Sequence, residues 1–428
     1  MKTVPLGPFP EDDGYEEAVA LDAADPLADY RHDFVHTDES LIYLDGNSIG
    51  RQPVGANETI RHVTEDEWGD RLIRAWNEGW WELHVTLGDK LAPIIGARPG
   101  EVIISDSTSV NLYKLALSAV LAAGRGRTRI VTDDLNFPTD VYILDGIARQ
   151  HGMTLEVVPS DGINGPIDSL AAAIDDGTAL VSLSHTTFKS GYTYDLTEVT
   201  AFAHDSGAMV LWDCSHSAGV VPIDVEAAGV DLAVGCTYKY LNGGPGSPAF
   251  LYVRGEHQDR LHNPITGWWG HADPFGFGLE FEPVDGIGRF HVGTMPILSL
   301  AGIEPGLDGV ISAGMPGIRS KSEVLTGYLI ELVDLHLAPL GFTVATPREP
   351  SRRGSHVSLG HGSAWPITRA MIEVANVIPD FRAPDNIRLG LSPLYTRFVD
   401  VHTAVGRVRR LVELGLQEQF VGAEATVT

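Results

Sequence analysis

The chain has 428 residues, 43% of them hydrophobic and 20% charged, the composition of a globular protein with room for two cores. Its 57 acidic against 30 basic residues leave a formal charge of −27, a surface that repels nucleic acid and anionic membranes, so neither is expected as a partner. Two cysteines, Cys214 and Cys236, provide neither a disulfide framework nor a CxxC metal site, so no metal is expected; with no apolar leader and no membrane-length apolar run, the expected location is the cytoplasm.

Residues 1–40 are acidic and dotted with proline, with one helix predicted over 15–24. Residues 1–60 as a whole are expected to form an arm packing on a small domain. Leu41 to Ser48 reads as a short strand running into an Asp-Gly-Asn turn. A helix is predicted over 61–76, and Trp68, Trp76, Trp80 and Trp81 cluster around it; such a cluster is core or dimer interface, or offers an indole to an aryl ligand. From Glu101 short apolar runs alternate with helix-length segments. Strands are predicted at 102–105, 129–132, 154–158, 179–184, 209–212, 232–235 and 250–253, with helices at 110–123, 138–150 and 196–205. This alternation predicts an α/β fold with a mostly parallel central sheet, covered on both faces, in a large domain spanning 61–305. A helix beginning near Leu298 leads away from it. A long helix over 318–335, short strands at 342–345, 356–359 and 387–391, and helices over 365–376 and 401–414 then predict a smaller α+β domain, residues 306–428.

One lysine stands out. In Cys236-Thr237-Tyr238-Lys239-Tyr240-Leu241-Asn242-Gly243-Gly244 it follows an apolar strand and precedes a glycine run. Partial desolvation there lowers an amine's pKa and makes it a nucleophile toward a carbonyl, although a lone lysine in such a loop is otherwise an exposed surface residue. Upstream by 26 residues, the strand Val210-Leu211-Trp212 ends in Asp213, with His216 three residues further on. Pyridoxal phosphate (PLP) requires an aldehyde-binding lysine, a carboxylate that keeps the pyridine nitrogen protonated, and a phosphate cradle. The carboxyl ends of parallel strands are where α/β sheets bind ligands. Asp106-Ser107-Thr108-Ser109 opens a helix and is either that cradle or an ordinary N-cap. No Walker lysine and no GxGxxG after a strand is present, which disfavours a nucleotide.

The stretches Trp212 to Gly219, Cys236 to Gly246 and Gly267-Trp268-Trp269-Gly270-His271 together closely resemble the kynureninases, PLP-dependent hydrolases of the aspartate aminotransferase fold (fold type I). The resemblance runs from about residue 41 to about residue 415. It implies PLP as cofactor, Lys239 as its covalent partner and proton shuttle, and Asp213 as the partner of its ring nitrogen. Tyr238 is implied as a phosphate contact and as the proton donor to the departing alanine fragment. Thr108 and Ser109 are implied at the phosphate, Phe137 stacked on the ring with Asp140 beside it, and Ser184 and His216 as further cofactor contacts. Trp268 and Thr294 are implied to reach across a homodimer interface, so that each site is built from two subunits. Arg388 is implied as the clamp for the substrate's α-carboxylate, with Asn47, Trp76, Trp269 and His271 around the substrate. Read without the resemblance, Phe137 is core, Asp140 a cap, His216 a satisfied core histidine, Trp268 to His271 interface or core, and Arg388 half of a structural ion pair. At Trp269 the chain departs from the many members of the family that carry Phe.

The reaction so implied is hydrolytic cleavage of the Cβ–Cγ bond of L-kynurenine, or of a 3-hydroxy or other ring-substituted analogue, to anthranilate (or its analogue) and L-alanine. Trp76 and Thr294 favour the unsubstituted ring. The alternatives are an aminotransferase, a cysteine desulfurase, disfavoured because no cysteine follows Cys236, and a ligand-binding relative without turnover. Retention of Lys239, Asp213, Tyr238 and Arg388 together argues against the last.

Overall fold

A computed structural model describes residues 14–422; the first 13 residues of the expected arm and the last six of the expected small domain lie outside the described residues. The chain opens with helix α1 (Tyr15–Ala23), strand β1 (Ile42–Tyr43) and helices α2 (Val54–His62) and α3 (Leu83–Leu91). The single helix predicted over 61–76 is not formed. α2 ends early and runs into a π-helical stretch (Val63–Arg71) and a 3-10 stretch (Leu72–Glu78), with Leu72 at φ 52 marking the break in winding.

From residue 102 strands and helices alternate as β2 (Val102–Ile104), α4 (Thr108–Ala122), β3 (Arg129–Asp133), α5 (Pro138–His151), β4 (Thr154–Val158), α6 (Ile167–Ala173), β5 (Thr178–Ser184), α7 (Leu196–Asp205), β6 (Met209–Asp213), β7 (Leu232–Gly235) and β8 (Phe250–Val253). They build one seven-stranded sheet in the order β2-β8-β7-β6-β5-β3-β4. β8 is antiparallel to both neighbours and the other adjacent pairs are parallel, so the sheet is mostly parallel, as expected for this α/β class. Both faces are covered, which is why the strands read as continuous apolar runs. Along β6, Leu211 belongs to the core with Leu115 and Leu144, whereas Val210 and Trp212 belong to the core on the other face with Val181 and Leu183. Each such side chain contributes roughly 1.5–3 kcal/mol on full burial, and together they fix where the strands' carboxyl ends emerge.

Further on come β9 (Thr343–Val344), β10 (His356–Gly360), β11 (Val377–Ile378), β12 (Asp380–Arg382) and β13 (Asn386–Gly390). An antiparallel sheet has the order β12-β13-β10-β9, and β11 pairs in parallel with β1. A separate core gathers Ala18, Ile42 and Leu44 with Leu325, Leu329, Val357 and Leu389. Two acids near α1 tie it there. Asp22 accepts the backbone N–H groups of Phe398 (2.7 Å) and Val399 (3.0 Å), capping the helix Phe398–Glu413, and Asp25 meets Lys321 Nζ at 2.6 Å in a buried ion pair. Among the described residues no helix is long and apolar enough to cross a membrane.

Candidate active site

Four loops leave the carboxyl ends of the large sheet's strands on the same side. They are the β2–α4 loop with Thr108 and Ser109, the β3–α5 loop with Phe137, the turn after β6 with Asp213 to His216, and the segment after β7 with Tyr238 and Lys239. They meet the turn after β1 and the end of β12 around a cavity of about 210 Å³ lined by Asn47, Ser48, Thr108, Ser109, Phe137, Thr139, Asp140, Asp213, Ser215, His216, Tyr238, Lys239 and Arg382.

Local sequence explains each placement. Ser107 caps α4 by accepting the Val110 N–H (3.4 Å), leaving the first turn of a 15-residue helix, Thr108 and Ser109, facing the cavity. Asp106 at φ 46 holds the turn before it through Lys114 Nζ (2.8 Å), a fully buried lysine. Pro138 starts α5 directly after Phe137, whose ring meets Phe188 edge-on at 5.3 Å. Asp213 ends β6 and accepts the Ser215 N–H (2.8 Å), which pins the turn carrying His216. The lysine segment is fastened at both ends. Thr237 Oγ1 donates to the Pro248 carbonyl (2.7 Å), the Asn242 N–H donates to the Lys239 carbonyl (3.0 Å), and the Gly50 N–H donates to the Tyr238 carbonyl (2.7 Å).

The electrostatics are those of a site built around a charged guest. Burial, then the adjacent Asp213 carboxylate, push the Asp140 pKa well above the usual range, and Asp140 Oδ2 has no hydrogen-bond partner. Burial, then the charge of Lys239, hold His216 well below its ordinary pKa, so its ring is neutral; Nε2 is 2.8 Å from Lys239 Nζ, and Nδ1 is buried without a partner. The Cys236 sulfur, then burial and Asp213, raise the Tyr238 pKa, so the phenol keeps its proton. Two buried carboxyl groups side by side hold a proton or a cationic N–H between them, and a helix N-terminus accommodates a phosphate. The residues therefore fit PLP. Asp213 would hold the protonated ring nitrogen, Lys239 the aldehyde carbon, and Thr108 and Ser109 the phosphate.

The other residues singled out from the sequence lie elsewhere. Ser184 is buried beside Asp213 in the sheet, and its backbone N–H donates to Asn136. Thr294 lines a neighbouring cavity of about 570 Å³ that shares Thr108, Ser109 and Tyr238 with the first. Trp76 and Trp269 pack in an aromatic cluster in which Trp81 and Trp269 stack at 4.0 Å and Trp76 lies 5.5 Å from Trp269. Trp268 and His271 border a cavity of about 360 Å³ on the loop beyond them. Arg388 is fully buried and forms an ion pair, the structural alternative to a carboxylate clamp. Its Nε donates to Asp380 Oδ2 (2.7 Å), as does Nη2; Nη1 donates to the Phe188 carbonyl, and Nη2 also to Ser48 Oγ (3.3 Å). It lies one hydrogen bond behind the cavity wall. Ser48, Thr139, Ser215 and Arg382 also reach that wall, although sequence reasoning does not single them out. Ser48 closes the Asp-Gly-Asn turn and Ser215 stands between Asp213 and His216, so both lie inside recognisable motifs, whereas nothing in Phe381-Arg382-Ala383 distinguishes an arginine from a surface one.

A family model described as Kynureninase C-terminal domain matches residues 318–408. The kynureninase of Pseudomonas fluorescens is 46% identical over 395 residues, covering 91% of this chain and 93% of that protein. The kynureninase of Burkholderia pseudomallei (strain K96243) is 45% identical over 402 residues, covering 93% and 95%. Among solved structures, the apo cysteine desulfurase from Thermococcus onnurineus NA1 is similar with a TM-score of 0.78 at 22% identity, covering 90% of this chain and 98% of that one. The cysteine desulfurase CsdA from Escherichia coli is similar with a TM-score of 0.77 at 18% identity, covering 91% and 98%. The structural likeness shows a shared fold, and the sequence relatives show the family: the chain belongs to the kynureninase family.

Proposed function

We propose that this protein is a PLP-dependent kynureninase that hydrolyses the Cβ–Cγ bond of L-kynurenine to anthranilate and L-alanine. The observation that carries the reading is the convergence of Lys239, Asp213, Tyr238 and the first turn of α4 on one small cavity. When bound, PLP supplies the electron-withdrawing ring that makes the substrate's α-carbon acidic and accepts the electron pair left on Cβ. With PLP and substrate bound, Lys239 Nζ would receive the Cα proton beside His216, whose neutral ring lies within hydrogen-bond distance of the amine. A water molecule adds to the aryl ketone carbon, that carbon leaves as the carboxyl group of anthranilate, and Cβ takes a proton from the Tyr238 hydroxyl. A phenol held protonated well above neutral pH is a competent donor for that step.

Among rivals, a desulfurase requires an accessible cysteine nucleophile. The chain's two cysteines are 1% and 2% exposed, and burial raises the Cys214 and Cys236 pKa values, so neither serves. The preference for the unsubstituted ring rests on the sequence resemblance at Trp76 and Thr294, neither of which lines the cavity around Lys239. Homodimerisation is supported by Trp268, 41% exposed on an apolar loop, and by Thr294 lining the open cavity next to the α4 N-terminus.

Anthranilate fluorescence with L-kynurenine tests the reading. The wild type is expected to release anthranilate, Lys239→Ala to fall to background, and Tyr238→Phe to lose about 10²–10⁴-fold in kcat. The kcat/KM for 3-hydroxykynurenine is expected to be the lower of the two. Release by the wild type no faster than by Lys239→Ala overturns it.

A further inference from the structure

We infer that Lys114 is a positioning residue for the cofactor phosphate: it neutralises Asp106 beside the first turn of α4, where Thr108 and Ser109 would hold that group. The inference rests on the PLP-dependent reading and adds to it a residue that acts from behind the cavity wall.

A phosphate dianion is poorly served by a carboxylate next to its cradle. Asp106 stands two residues before Thr108, its side chain is 32% exposed, and it borders the cavity of about 570 Å³ that also takes in Thr108 and Ser109. Left unpaired, its charge would oppose an anion at those residues. Lys114, in the second turn of α4, is its counterion. The Lys114 Nζ donates to Asp106 Oδ2 (2.8 Å), to the Phe290 carbonyl (2.8 Å) and to Ser105 Oγ (3.4 Å), and Ser105 Oγ donates to Asp106 Oδ2 (2.9 Å). Three acceptors account for the three protons of an ammonium, and with the side chain 0% exposed none of them is left to water. Burying an ammonium is costly, and pairing it with a partly exposed carboxylate returns little of that as stability. What the pair changes is the field at the first turn of α4.

Three further bonds tie the backbone of this turn. The Ser105 N–H donates to the Ala249 carbonyl (2.8 Å), the Ala249 N–H to the Asp106 carbonyl (2.8 Å), and Asn111 Nδ2 to the Ser105 carbonyl (2.6 Å). Asp106 lies in the left-handed region at φ 46, which Asn adopts as readily as Asp. Removing either charge therefore alters the field and leaves the loop in place. The Phe290 carbonyl, just before the wall formed by His291 to Thr294, holds Nζ from the other side of the same cavity.

The experiment measures Kd for PLP and for pyridoxal, which lacks the phosphate, by quenching of tryptophan fluorescence on the full chain stripped of cofactor. The proteins are the wild type, Lys114→Met, Lys114→Gln and the double variant Asp106→Asn with Lys114→Met. Lys114→Met is expected to weaken PLP at least about tenfold, a fall between the water and protein-surface values for like charges about 4 Å apart, and to change pyridoxal by less than about threefold. Lys114→Gln, which keeps an N–H donor without the charge, is expected to show the same phosphate-specific loss and carries the comparison if Lys114→Met does not fold. The double variant, which has lost the opposing carboxylate as well, is expected to recover most of the wild-type preference for PLP over pyridoxal. An equal loss for PLP and pyridoxal, an unchanged PLP Kd in Lys114→Gln, or a double variant no better than Lys114→Met overturns the inference. A wild type that releases no anthranilate while its preference for PLP still depends on Lys114 would instead sink the functional reading and leave this inference standing.

Discussion

Asp45 stands two residues before Asn47, 6% exposed, with Oδ1 unpartnered; burial, then the charge of Asp380, raise its pKa to about 7. Its folded pKa lies above the unfolded value of 3.8, so the protonated form stabilises the fold. That contribution is complete below pH about 4 and is lost as pH rises through about 7. Asp45→Asn removes the charge, and thermal unfolding is expected to show a gain of roughly 1–3 kcal/mol at pH 8 that shrinks through pH 5 toward zero near pH 4; a gain independent of pH would contradict it. At this scale much of the cavity is legible in the sequence. Lys239, Asp213, Thr108 and Ser109 each sit where a strand or helix ends, and strand ends are what apolar periodicity marks best. Arg382 is not legible, because its position depends on the register of a three-residue strand that the surrounding residues do not announce.

The turn after β1 is the element on which the lysine segment leans. A Cβ added at Gly50 would overlap Asn242 Oδ1 and the Lys239 carbonyl oxygen, and the Gly50 N–H is bonded to the Tyr238 carbonyl. Gly50→Ala is therefore expected to push the two segments apart. The predicted result is a loss of about 1–3 kcal/mol in urea unfolding together with a fall in kcat/KM greater than that stability loss explains; unchanged kinetics would show that the brace is dispensable. The strands of the large sheet are legible because its central strands are apolar on both faces and α4 and α7 open on capping side chains, Ser107 and Asp195. The segment 63–78 departs from the single helix its pattern predicts: its charged and aromatic residues satisfy a helical periodicity, and nothing in that periodicity marks the switch to π and 3-10 winding or the positive φ at Leu72.

At the scale of the whole molecule, the loop after Trp269 leaves Phe275, Phe277 and Leu279 63%, 80% and 104% exposed, a patch that a second copy would cover. Sedimentation is expected to give twice the 46.1 kDa chain mass. The double change Phe277→Asp with Leu279→Asp is expected to weaken that association; a wild type that stays monomeric at all concentrations would refute the shared-site proposal. Sheet order is not legible, since periodicity says which face a strand buries and nothing about its neighbour. The pairing of Ile42 with Val377 spans 335 residues, and closing so long a loop costs roughly 5 kcal/mol of chain entropy. A ribosome must deliver almost the entire polypeptide before Asn47 and Arg382 can share a wall. The closed cavity is thus a property of the finished chain, and shortened translation products, however well their large sheet folds, will be born without that wall.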